Sequence, residues 1–122
     1  MKFLSMYKTT ERNAPPTQQE MEVMGKLMEE WFASGKLLAA EGCMPTQFAA
    51  RVRQTKGQFA VTDGPFTEAK EVVGGLAILQ APSREAAIEY VKEFMKVAGD
   101  GECELRQLYE MPADTSAKTA NQ

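Results

Sequence analysis

Asp63-Gly64-Pro65 stands between two apolar, β-branched runs, with Asp63 at the end of the first, and neither run can continue through Pro65. Pro65 lacks an amide hydrogen and fixes φ at about −65°, so the run Gln58–Thr62 must end before it. Pro65 also drives Gly64 away from the right-handed helical region, and a glycine there permits a positive φ. Phe66 follows as an apolar anchor for the turn. The chain therefore reverses near its middle, and everything else must fold around a rigid strand exit. Two readings of Asp63 are open. Its carboxylate can accept hydrogen bonds from the following backbone amides in an Asx-turn. Alternatively, the rigid turn holds it in a cleft as a ligand acceptor or a general acid or base.

On either side of this break the hydrophobic period alternates between two kinds of element. Lys2–Lys8 reads as a strand, with Phe3 and Tyr7 on one face. Thr9–Pro16 is a polar loop. Thr17-Gln18-Gln19-Glu20 is a capping box, and Met21, Met24, Leu27, Met28, Trp31 and Phe32 then follow at helical spacing. Gly35 is placed to end that helix in a left-handed cap. Its methionines are expected to fill the core. Lys36–Glu41 is a second strand, broken at Gly42-Cys43-Met44-Pro45. Ala50–Thr55 and Gln58–Thr62 form a hairpin around Lys56-Gly57, with Arg51 and Arg53 on one face. That face is either a solvated surface or an anion site.

Thr67–Val73 reads as a helical turn or ordered loop, and Gly74-Gly75 as a place of close backbone approach. Leu76–Ala81 is a central strand. Ser83 caps a second helix whose apolar stripe runs from Ala87 to Ala98. Glu102–Tyr109 is the last strand. Residues 1–111 thus make one domain, and 112–122 form a polar tail without a hydrophobic period, expected to be loosely ordered.

The order strand, helix, strand, hairpin, strand, helix, strand is an α+β plan. A ferredoxin-like core with a hairpin insertion is its simplest closure. Two helices cover one sheet face, and Phe3, Tyr7, Leu76 and Ile78 cannot all face them, so the other face needs cover. A second copy of the chain would supply it, and a homodimer is expected.

Composition narrows function. Histidine is absent, which removes Ser-His-Asp, Cys-His and imidazole–metal chemistry. Cys43 and Cys103 are far apart in sequence and imply neither a disulfide scaffold nor a zinc site. No metal or cofactor is expected. Net charge is −3, with no basic block, so direct nucleic-acid binding is not expected. No apolar run approaches the roughly 20 residues of a membrane span, and the first residues lack a signal-peptide core. The expected location is the cytoplasm.

Val61-Thr62-Asp63-Gly64-Pro65-Phe66, followed by Glu68, Lys70-Glu71 and Gly74-Gly75, resembles the signature of the DGPF group of YCII-related proteins. Ala39–Gly42, Ala50–Arg53 and the Ser83–Val91 helix are similar to that group as well. The resemblance spans residues 1 to 111. It implies a dimeric α+β barrel of ferredoxin-like subunits. Members are mostly of unknown function, and some are encoded near, or fused to, extracytoplasmic-function sigma factors, which implies a role in transcription control. The wider family is associated with a His-Asp pair. This chain has no histidine, and Asp63 belongs to the DGPF motif rather than to that pair.

The function expected on these grounds is binding of a small ligand or a protein in a cleft lined by Tyr7, Arg51, Arg53, Asp63, Gly64, Pro65 and Phe66. The alternatives are an enzyme with Asp63 as acid or base, and a regulatory partner of a sigma factor.

Overall fold

The computed structural model describes residues 1–12 and 14–110. The expected tail, 112–122, lies outside the described residues.

The capping box forms as its residues dictate. The Glu20 amide donates to the Thr17 hydroxyl at 3.1 Å, and the Thr17 amide donates to the Glu20 carboxylate at 3.0 Å. Helix α1 (Gln18–Ser34) starts there and ends at Gly35, whose φ of 80° is the left-handed cap. Arg12 also donates to Glu20, at 2.9 Å. That hydrogen bond first, then those from Thr17, holds the Glu20 carboxyl at about 2, down from an ordinary 4.5. A depressed carboxyl supports the fold above its unfolded value, and that support is lost as pH falls toward about 2. Amide exchange in the first turn of α1 is therefore expected to rise between these pH values. Glu20→Gln should show no such step.

Strand β1 (Lys2–Thr9) pairs with β5 (Val72–Gln80) and β6 (Glu102–Gln107), and β2 (Leu37–Gly42) pairs with β5. The sheet order is β2-β5-β1-β6, antiparallel throughout. With helix α2 (Arg84–Ala98) returning the chain between β5 and β6, this α+β plan is compatible with a ferredoxin-like fold. The inserted hairpin is also present. Strands β3 (Ala50–Thr55) and β4 (Gln58–Asp63) form a separate two-stranded sheet. Lys56 and Gly57, both at positive φ (50° and 81°), make its tight turn. All twelve strand residues of the hairpin are exposed, so it projects from the domain as an arm.

Strand β5 begins four residues earlier than the period of its apolar run indicates. Val72 and Val73 pair with Thr9 and Lys8, so this stretch is strand rather than helical turn. A long-range partner decides the conformation of a segment whose local sequence is ambiguous. Gly75 is the site of close approach: a Cβ there would sit 3.2 Å from the Glu41 carbonyl oxygen.

The core lies at one end of the layered domain. Phe3, Leu37 and Leu79 on the sheet meet Trp31 near the end of α1 and Ala87 near the start of α2. Each of the three large sheet residues, fully buried, contributes about 1.5–3 kcal/mol. Tyr90 packs on Trp31 and carries Lys36 over its ring. At the opposite end, where α1 begins and α2 ends, packing is open. Met21 is 56% exposed, and Met24 and Met28 are only half-buried. Met28 packs against the core, but Met21 and Met24 do not fill it as their spacing indicates. The helical period marks the face turned toward the sheet; it does not set how close the sheet is.

On the other sheet face, Leu4 and Met6 lie opposite Ile78 and Leu76, and these residues keep part of their surface exposed. Among the described residues no helix is long and apolar enough to cross a membrane.

Candidate functional site

The Asp63 turn is built by backbone contacts. The Gly64 amide donates to the Ala49 carbonyl at 2.8 Å, and the Phe66 amide donates to the Thr46 hydroxyl at 3.2 Å. Thr46 opens a single 3-10 turn, Thr46–Phe48. A Cβ on Gly64 would fall 1.6 Å from the Thr46 carbonyl oxygen. Gly64 is therefore required for close approach. It does not use the positive φ that a glycine permits, and the Gly64-Pro65 peptide is cis.

Asp63 itself is exposed, and its side chain makes no hydrogen bond among the described residues. The Asx-turn reading is corrected accordingly: the Thr46 hydroxyl, from another segment, caps this turn. Asp63→Asn is expected to change stability by less than about 0.5 kcal/mol in a urea titration, the range for surface substitutions without buried partners. A loss of about 2 kcal/mol would instead mean that the carboxylate holds the turn.

Thr46 is itself held from the β1–α1 loop. Its hydroxyl donates to the Glu11 carboxylate (2.8 Å and 3.1 Å to the two oxygens), and its amide donates to the same carboxylate at 3.1 Å. A chain of contacts thus runs from Gly64 and Phe66 through Thr46 to Glu11. Arg12, the next residue, pairs with Glu20 on α1. The central turn fixes the loop that leads into the helix.

That loop forms one rim of a cavity of about 940 Å³ between the helices and the sheet, at the loosely packed end of the domain. Met24, Met28, Trp31 and Phe94 face it from the helices, and Tyr7 and Leu79 from the sheet. Tyr7 is firmly set. Its hydroxyl lies 2.9 Å from the Asp100 carbonyl and 3.1 Å from that of Gly99, and its ring meets Phe94 edge-on at 5.5 Å. The cavity falls within the range of about 300–1,000 Å³ typical of small-molecule sites.

The residues singled out from the sequence fall into two groups. Tyr7 lines the cavity; Arg51, Arg53, Asp63, Gly64, Pro65 and Phe66 do not. Arg51 stacks over the Phe66 ring at 3.7 Å and pairs with Glu68. Its hydrogen bond lowers the Glu68 carboxyl from the ordinary value. Arg51 thus braces the turn. Arg53 is exposed on the hairpin arm. Cys43 lies on the cavity wall and Cys103 is half-buried, where burial pushes its thiol up; both are free. Among the described residues no group of three acidic, cysteine or histidine side chains is placed to hold a metal.

Glu11, Thr46 and Gly25 were not evident from the sequence. A glycine inside a well-capped amphipathic helix is costly by about 1 kcal/mol. Its presence at position 25 was the available signal: it lines the cavity, and a Cβ there would meet nothing within 4 Å.

A protein of Rhizobium meliloti (strain 1021), described only as uncharacterised, is 27% identical over 92 residues, which is 75% of this chain and 74% of that protein. The family model of the YCII-related domain matches residues 1–112, nearly the whole length. The capped helices, the antiparallel sheet and the Asp63–Phe66 turn are accordingly those of a member of the YCII-related domain family, to which this chain belongs.

Proposed function

We propose that this protein is a small-ligand-binding dimer. The observation that supports binding is the cavity between helices and sheet, walled largely by apolar side chains and rimmed by a loop fixed from the Asp63 turn. A domain of this size ordinarily closes such a gap by packing α1 onto the sheet. An open, well-braced cavity is the geometry of a site. An acid–base role for Asp63 has less support, because its carboxylate is exposed and stands off the cavity wall. The sigma-factor role rests on family association alone.

The dimer is supported by the second sheet face, where Leu4, Met6, Leu76 and Ile78 form an apolar centre. Pairing two such faces would give the α+β barrel that the family resemblance implies, in the cytoplasm. Sedimentation velocity is expected to give a dimer, and Met6→Glu a folded monomer. A thermal-shift screen across metabolite classes tests binding, since a ligand that binds only the folded state raises Tm. No stabilisation by any class would count against a small-molecule site.

A further inference from the structure

Resting on the binding reading above, we infer that the cavity takes a largely apolar organic molecule that is neutral or singly cationic, and that it discriminates against anions. Three observations carry this. The inner wall offers Trp31, Phe94 and Leu79 with Met24 and Met28, so most of the binding energy must come from apolar burial. Methionine side chains are flexible and polarisable, and they accommodate varied apolar shapes. The polar handle of Tyr7 is already committed to the Gly99 and Asp100 carbonyls, so the interior has little to offer a strongly hydrated ligand.

Charge sets the rest. The charged residues at the cavity are Glu11, Glu20, Asp100 and Arg12, three carboxylates against one guanidinium, since Glu41 pairs with Leu76 on the opposite sheet face. The guanidinium is bound to Glu20 and to the Pro15 carbonyl. An anionic head group would find no free cation among the described lining residues and would face a negative rim. An ammonium or a hydroxyl at the mouth meets no such repulsion.

Gly25 gives a clean probe of the site. Its Cβ position is empty, and it lies on the cavity wall. Gly25 is exposed at the cavity's edge on α1, so Gly25→Leu would crowd the mouth while improving helix propensity, and narrowing it need not cost folding.

The test is fluorescence titration of the full chain with the neutral probe N-phenyl-1-naphthylamine, followed by displacement with 1-decanol, decylamine and decanoate. The expected result is saturable probe binding, displacement by the alcohol and the amine, and about tenfold weaker displacement by the carboxylate. Gly25→Leu, with its helical circular dichroism intact, is expected to bind the probe at least tenfold more weakly, whereas Met6→Glu, on the opposite sheet face, keeps it. Decanoate displacing as well as the amine would overturn the charge assignment. Probe binding unchanged in folded Gly25→Leu would overturn the location. If the probe fails to bind while a polar metabolite raises Tm, the ligand class is wrong and the binding reading stands. If neither occurs, both fall. Should Gly25→Leu fail to fold, the displacement order in the parent still decides the ligand class.

Discussion

Gly64→Ala is expected to lower the unfolding free energy by about 4 kcal/mol in a urea titration at fixed protein concentration. The new methyl group would start 1.6 Å from the Thr46 carbonyl oxygen, 2.7 Å from its carbon and 3.3 Å from the Ala49 carbonyl oxygen. These are backbone atoms, so no rotamer change relieves the overlap. Overpacking usually costs about 1–3 kcal/mol, and the absence of a soft neighbour puts this site at the upper end. Moving the turn outward would also break the Gly64–Ala49 hydrogen bond, worth about 1 kcal/mol. Typical domains have only about 5–15 kcal/mol in all. Gly42→Ala is the matched comparison, since a Cβ at Gly42 meets nothing within 4 Å, and it should stay within about 1 kcal/mol of the parent. If Gly64→Ala also stayed within that margin, the close packing of the turn against the Thr46 segment would be refuted.

The Gly64 case shows what local sequence can carry. Pro65 forbids continuation of β4, and this is legible from covalent geometry alone. The same holds for the Thr17–Glu20 box, the Gly35 cap, the Ser83 cap and the Lys56-Gly57 turn, each a device of a few adjacent residues. What Gly64 packs against is a segment 18 residues earlier, and nothing local reveals that neighbour. For the same reason Asp63 is the conspicuous polar residue of the turn, while the group that caps it is the Thr46 hydroxyl. A threonine after Pro45 has no distinctive period or spacing. Its role depends on Glu11 arriving from a third segment.

The cavity was illegible for a related cause. Period identifies which face of α1 looks inward, and Met21, Met24 and Met28 do look inward. The distance to the sheet depends on how the two ends of the helix are held. Trp31 pins the far end into the core, while the near end is held by Arg12 and the Glu11–Thr46 contacts. The helix stands off the sheet at that end, and Gly25 beside the gap is what the local sequence shows of it.

Thr46→Val is the sharper test of those supports. The substitution keeps the shape and removes the hydroxyl, so two interactions go together. The Phe66 amide loses its acceptor at 3.2 Å, and the Glu11 carboxylate loses its 2.8 Å donor. A hydrogen bond to a charged group is worth about 1.5–3 kcal/mol, and an unsatisfied donor costs about 1–3 kcal/mol when fully buried. Thr46 is buried at 9% exposure, whereas Phe66 is half-buried. Water can therefore satisfy part of the loss, and about 2 kcal/mol is expected. Thr46→Ser retains the hydroxyl and should cost no more than about 0.8 kcal/mol, one buried methyl. Glu11→Gln combined with Thr46→Val should cost less than the sum of the two single changes, because both act on the same contact. Amide exchange supplies a local readout. In Thr46→Val, protection should fall at Phe66 and at Thr46 itself, while the core strands β1 and β5 change only by the global loss. Equal loss of protection everywhere would mean that Thr46 supports the domain generally and does not specifically tie the central turn to the cavity rim.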